Sequence, residues 1–250
     1  IYHYTSVNIP SGVSVTFIPN ANNTPVVWLV QGDCTIAGSV AIDGGEVSNL
    51  LFEGRGSPGG PGGYAGGTAP TTTTPPGEGL GPGGGKTSTT ASLGGNGSFG
   101  TKGNETPSKS SQQPSGDVYG NNFLLPLIGG SGGSGGGASA GVGATNRSGG
   151  GGGGGALLIV ADKIRITGGI YANGGSASSS AGIGGGGGSG GAIRLVANSV
   201  SGSGAVRTQG GNARYYWSGG TYYSAAGNGR IRIDALSDSF TGPVTGAITR

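Results

Sequence analysis

Residues 156–175 read ALLIVADKIRITGGIYANGG and residues 192–211 read AIRLVANSVSGSGAVRTQGG, an ungapped match at an offset of 36 residues. Both follow a Gly-Gly pair. The same frame fits residues 26–45, VVWLVQGDCTIAGSVAIDGG, setting Val30 beside Val160 and Val196, and Gly44-Gly45 beside Gly174-Gly175 and Gly210-Gly211. A partial fourth copy, RIRIDAL, begins at Arg230. A repeat of this length marks stacked units, none of which can bury its apolar face alone. Within each unit short apolar or alternating runs stand between polar or glycine turns, which predicts strands. In Lys163-Ile164-Arg165-Ile166, Ile193-Arg194-Leu195 and Arg230-Ile231-Arg232-Ile233 a period of two points the aliphatics inward and the basic side chains outward.

The expected fold is therefore all-β: a solenoid or β-helix-like stack of short strands, with essentially no helix. Glycine in place of alanine costs a helix about 1 kcal/mol per residue, and no stretch carries a capped helical stripe. The opening, residues 1–20, alternates through Val7, Ile9, Val13, Val15 and Phe17 around a Pro10-Ser11-Gly12 turn. It is expected to be the first rung and cap, or a strand that adds to the edge of a neighbouring subunit. The expected organisation is one domain over 1–250, with rungs in 1–45, a long insertion in 46–155 and repeat rungs in 156–250.

Composition narrows the core and the function. Of 250 residues 64 are glycine, and the hydrophobic class makes up only 32%, so the core must be narrow. Charged residues make up 9%, too few for charge-driven disorder. The net charge is +3, but the Lys and Arg are scattered, which argues against nucleic acid. Cys34 and His3 are the only residues of their kinds, so neither an internal disulfide nor a zinc cluster is expected, and no cofactor. The longest aliphatic run, Ala156 to Ala161, is too short to span a bilayer. A chain that opens at Ile1 and lacks methionine is expected to be a processed product, extracellular or at the cell surface.

The glycine-rich excursions lie at 45–155, 175–191 and 211–229. The first is either a disordered arm or an ordered insertion, and order is expected in most of it. Prolines three residues apart in Ser57-Pro58-Gly59-Gly60-Pro61-Gly62-Gly63-Tyr64 suit extended left-handed helices of the polyglycine II kind, three residues per turn with no internal hydrogen bonds. Glycine lets such segments approach closely enough to bond laterally, so several could pack as a bundle. Residues 68–76 and 102–115 are Ser, Thr and Pro-rich and are expected at the surface. The triplets at Asn22, Asn96, Asn104 and Asn146 mark further surface. Residues 123–128, FLLPLI, are expected to be buried as an anchor of the insertion.

Little points to catalysis, and the chain is expected not to be an enzyme. Gly83-Gly84-Gly85-Lys86-Thr87 fails as a phosphate loop because Leu80 stands where the motif needs glycine. Asp33, Asp43, Glu46 and Glu53 are the closest-spaced carboxylate group that could furnish an acid/base pair for cutting glycans, and turn chemistry accounts for them better. Two candidate contact surfaces remain. Arg165, Arg194, Arg207, Arg230 and Arg232 could form an outward basic column able to hold acidic glycans or a neighbour's carboxylates. Tyr215, Tyr216, Trp217, Tyr222 and Tyr223 concentrate aromatic side chains around a short turn, suited to sugar rings or a second subunit.

On the repeats GGALLIVADKIRITGGIYANGG and GGAIRLVANSVSGSGAVRTQGG, over residues 26–45 and 156–233, the chain resembles large bacterial secreted surface and filament proteins with glycine-rich β-helical repeats. Its glycine tracts also look like the polyglycine sandwiches of some phage tail-tip adhesins. The first resemblance implies a structural subunit of a self-assembling extracellular filament, a homopolymer joined through β edges or solenoid ends. The second implies an adhesin at a fibre tip that binds a receptor or surface glycans. A polysaccharide-acting β-helix enzyme is the remaining alternative.

Overall fold

A computed structural model describes residues 1–47, 55–71, 74–87, 93–105, 114–136, 148–178, 184–217 and 220–250. Among them every regular element is a strand and there is no helix. The backbone of the fold is one mainly parallel sheet in the order β1 (Tyr2–Tyr4), β4 (Val26–Val30), β7 (Ala156–Ile166), β10 (Ala192–Gly202), β14 (Arg230–Phe240) and β16 (Ala247–Thr249). Beside it β2 (Val7–Ile9) pairs with β5 (Cys34–Ile36), which pairs with β7. A second parallel sheet runs β3 (Ser14–Thr16), β6 (Ser39–Ala41), β8 (Gly169–Tyr171), β11 (Ala205–Arg207) and β15 (Val244–Thr245).

The sequence repeat is the register of these ladders. Ala156 pairs with Ala192, and Ala192 with Arg230, so the 36-residue offset and the partial copy at Arg230 both survive as strand pairs. The opening residues pair within the same chain, β1 with β4, β2 with β5 and β3 with β6. One part of the alignment is corrected. Leu29, not Val30, lies beside Val160. The frame is recovered at Cys34, which pairs with Ile164. One more residue separates Leu29 from Cys34 than Val160 from Ile164, and the corner at Gln31-Gly32-Asp33 absorbs it. There the Gly32 N–H donates to Thr5 O at 2.9 Å and Gly32 O accepts from the Asp162 N–H at 3.0 Å. A slip of one residue exchanges the two faces of a strand, so the correction matters: Val26, Trp28 and Val30 are buried, while Val27 and Leu29 are half-buried.

The core is the inward row of these ladders. Ile36, Val40, Leu157, Ile159, Ile164, Ile166, Ile170, Ile193, Leu195, Val200, Val206, Ile231 and Ile233 are buried in one cluster. Each such side chain contributes about 1.5–3 kcal/mol on burial. Lys163 and Arg165 are exposed between the buried Ile164 and Ile166, as the period of two requires.

The glycine segments have no strand pairing of this kind, yet much of their backbone is hydrogen-bonded to neighbouring segments. Along 150–156 the N–H groups donate in turn to Gly67 O, Gly186 O, Gly45 O, Tyr64 O, Ser189 O, Ile42 O and Pro61 O, at 2.7–3.0 Å. The partner changes with a period of three among the segments 61–67, 186–189 and 42–45. The carbonyls of Gly150, Gly151, Gly152, Gly153 and Gly154 accept from Ser57, Gly133, Gly175, Gly60 and Gly130. There is no room for side chains between these segments. A Cβ on Gly152 would lie 1.9 Å from Pro58 O, and one on Gly188 2.1 Å from Gly152 O. The few polar side chains inside act as pegs: Asn96 Oδ1 accepts from the Gly187 N–H at 2.8 Å, and Ser189 Oγ from the Ser131 N–H at 2.8 Å. Asn96 is wholly buried, which corrects its expected surface position.

Replacing Gly152 by Val should lower the melting temperature sharply, corresponding to about 3 kcal/mol or more, because backbone on the neighbouring segment cannot give way. Gly32→Ala, whose nearest obstacle is Thr5 O at 3.1 Å, should cost far less. Thermal unfolding of the two variants tests this, and equal losses would be inconsistent with a rigid glycine packing.

Candidate contact surfaces

The arginines expected to form one column are divided by the fold. Arg194 and Arg232 are ladder neighbours, with Arg230 two residues along the same strand. Arg165 pairs with Thr35 and Ser201 at the far end of the sheet, and Arg207 lies in the second sheet beside Tyr171 and Thr245. Arg165 and Arg207 are exposed.

The three that come together are occupied. Asp234 Oδ2 accepts from Arg194 Nε and from Arg232 Nε, both at 2.9 Å. Burial alone would raise the Asp234 carboxyl, but hydrogen bonds from Arg232 and Arg194, with their charges, outweigh it and hold the group below the usual carboxylate range. Arg230 donates through Nε and Nη2 to Tyr119 O at 3.2 and 3.0 Å and through Nη1 to Asn122 Oδ1 at 2.9 Å. Arg232 Nη1 donates to Asn122 O at 3.1 Å. Arg230 also lies over the Phe99 ring and Arg232 over the Phe123 ring. These arginines therefore clamp residues 119–123 of the insertion to the sheet. Nothing in the sequence pairs Arg230 with Tyr119, but the Asp two residues beyond Arg232 was a visible signal of a local ion pair.

The anchor expected at 123–128 is partly buried. Leu124 is buried with Phe99, Ala156 and Ala192, and Leu127 and Ile128 pack against them. Phe123 and Leu125 remain exposed. The loop turns through a left-handed Leu124, so alternate side chains leave the sheet.

The aromatic residues lie on a hairpin. β12 (Asn212–Trp217) and β13 (Gly220–Ala225) pair antiparallel, placing Tyr215 opposite Tyr222, Tyr216 opposite Thr221 and Arg214 opposite Tyr223. β9 (Ala177–Ser178) pairs with β12 on its other side. For Tyr215, Tyr216, Trp217 and Tyr222 the structure describes the backbone only, and Ser218 and Gly219 lie outside the described residues. The Tyr223 side chain is 64% exposed.

Several glycine segments meet beside the hairpin. Val47 bridges Ala177, and Gly136 bridges Ser148. Gly94 donates to Gly184 O, Lys86 to Pro114 O and Asn104 to Ala225 O. These contacts bring the described ends of the glycine segments together beside the hairpin.

The remaining candidates have structural roles. The N–H groups of Gly84 and Gly85 donate to Gly81 O and Gly132 O, so no phosphate cradle is formed, and Lys86 pairs with Glu78 at 3.2 Å. Asp43 Oδ1 accepts from the Asn173 N–H at 2.6 Å, and Asn173 Oδ1 from the Gln209 N–H at 3.0 Å, a column that ties successive strand ends together. Crowding by the surrounding chain raises the Asp43 carboxyl above its usual range even though the residue lies at the surface. Glu53 lies outside the described residues. Burial pushes the Cys34 thiol up to about 12, leaving an inert core side chain. Among the described residues no group of three or more His, Cys, Asp or Glu is placed to hold a metal ion, and no helix is long and apolar enough to cross a membrane.

No family model matches the sequence, and neither curated proteins nor solved structures contain a match to the chain.

A carboxylate whose pKa is depressed by folding contributes stability above its unfolded value, near 3.9, and loses it as pH falls through the folded value. The stability contributed by Asp234 should therefore fall as pH drops below about 4. Asp234→Asn should melt lower than wild type at pH 7 and show a smaller acid-dependent fall. Parallel acid profiles for the two proteins would show that the Arg194, Arg232 and Asp234 cluster does not couple to folding.

Proposed function

We propose that the chain is a β-solenoid carrying a polyglycine II lattice, and that it serves as a non-catalytic structural module of an extracellular fibre whose lattice end makes contact with a receptor or surface glycan. The observation that carries this reading is the gathering of the Tyr-rich hairpin with the described ends of the glycine segments. A three-residue rotation of hydrogen-bond partners is what packed three-residue helices produce, and it supports the lattice. Parallel ladders at offsets of 36 and 38 residues support the solenoid. A lattice without side chains between its members has little freedom to deform, so it suits holding a contact surface away from the stack. Exposed tyrosine beside Thr221 and Ala225 suits stacking on a sugar ring.

Open-ended self-assembly through the solenoid ends, the other expectation from the sequence, has less support. On β14 the ladder position held by Ile164 and Val200 in β7 and β10 is taken by Asp238, followed two residues on by the buried Phe240, and Arg250 pairs with Asp238 at 3.1 Å. A charge at a sheet edge opposes further pairing.

Binding of purified protein to arrays of cell-surface glycans, and to intact cell envelopes, tests the contact reading. Tyr223→Ala and Trp217→Ala should each weaken binding about tenfold or more, with unchanged melting temperature. Retained binding in both variants, or filaments as the native state of the protein, would overturn the reading.

A further inference from the structure

Leu93, Asn96 and Phe99 stand three residues apart, on one side of a three-residue helix, and all three are buried. Phe99 faces Tyr119 and Arg230. Asn96 faces the base of the hairpin. Just beyond it the glycine segment lies beside 227–229: the Gly227 N–H donates to Gly97 O and the Gly100 N–H to Asn228 O, both at 2.9 Å. On the N-terminal side of this contact the partner chain becomes β13. The Gly190 N–H donates to Gly227 O, but three residues earlier, on the same side of its segment, the Gly187 N–H donates to Asn96 Oδ1 at 2.8 Å. A side-chain amide thus takes the place of a backbone carbonyl where the hairpin branches from the lattice.

The other end of the same amide holds the hairpin. Asn96 Nδ2 donates to Ser224 Oγ at 2.9 Å and to Asn104 O at 2.8 Å, and the Asn104 N–H donates to Ala225 O at 2.8 Å. The orientation of the amide is fixed by its partners, since a backbone N–H only donates and a backbone carbonyl only accepts. On β13 Ser224 is 3% exposed and the adjacent Tyr223 64%. Successive side chains of a strand point to opposite faces, so holding Ser224 inward turns Tyr223 outward, and a slip by one residue would exchange them.

We infer, resting on the contact reading above, that Asn96 is the positioning residue of the hairpin and fixes which face of β13 is presented. The branch point needs an acceptor toward Gly187 and a donor toward Ser224 and Asn104, which are the two ends of one planar amide. Aspartate would set a carboxylate oxygen against Asn104 O, and an aliphatic side chain would leave both sides unpaired in a buried site.

Hydrogen exchange of the full chain without ligand tests this. In Asn96→Asp and in Ser224→Ala the amides of 212–217 and 220–225 should exchange at least tenfold faster than in wild type, while those of β7 and β10 keep their rates. The double variant should exchange no faster than Asn96→Asp alone, because both changes remove one link. Should Asn96→Asp fail to fold, Ser224→Ala carries the test, since it leaves the Asn96 bonds to Gly187 and Asn104 in place. Ser224→Ala should also weaken binding to the glycan arrays about tenfold, although Ser224 is buried. Unchanged hairpin exchange in Ser224→Ala, an equal rise in β7 and β10, or glycan binding undiminished by a loosened hairpin would each overturn this role. Faster hairpin exchange in the variants of a protein that binds no glycan supports the positioning and removes only the contact reading.

Discussion

The structure depends on one constraint: backbone segments can hydrogen-bond sideways to several neighbours at once only where no Cβ stands between them. A strand spends its N–H and C=O groups on two neighbours in one plane. The segment 150–156 instead turns by a third of a circle at each residue, donating to three segments and accepting from others, so its hydrogen bonds spread around its axis. Cβ positions that would fall 1.9–2.1 Å from neighbouring carbonyl oxygen show how close the chains lie. Glycine carries a large ordering entropy, and the lattice offsets it through the lateral hydrogen bonds its close-packed backbones make.

Stack and lattice are one construction because each rung feeds the lattice at the same place. Gly155 donates to Ile42 O, and Gly191 to Ala172 O, so the residues preceding β7 and β10 bond to the residues following β6 and β8. Above this junction Arg230 and Arg232 tie the insertion back onto the sheet, and Phe99 and Leu124 fill the small core between them. A long insertion that would otherwise be a costly loop is thereby held at both its lattice contacts and its return to the sheet.

This construction separates roles along the molecule. Aliphatic rows hold the stack, close backbone contacts hold the glycine segments, and exposed aromatic side chains lie apart from both, Tyr223 on the hairpin and Tyr2 and Tyr4 on β1. The arginines that looked in sequence like a surface for acidic partners are largely internal fasteners, because Asp234 and the carbonyls of Tyr119 and Asn122 reach them first.

Much of the β stack was legible in the residues. The repeat at Ala156 and Ala192 became a strand pair, and the alternation in Lys163 to Ile166 became an exposed and a buried row, because strand periodicity is local and parallel stacking preserves offset. The ability of glycine tracts to order was legible too, since it follows from the missing Cβ. Register across the Gln31 to Asp33 corner was not, because a corner can absorb one residue without leaving a mark in composition. Nor could the sequence say which glycine segment lies beside which, that Asn96 would be an interior peg, or that Arg230 would face Tyr119. The last two depend on contacts 91 and 111 residues apart in the chain, and tracts of one residue type carry no side-chain code by which neighbouring segments could be matched. Amino-acid type determined what could stack and what could pack closely; only the folded chain decided which segments met.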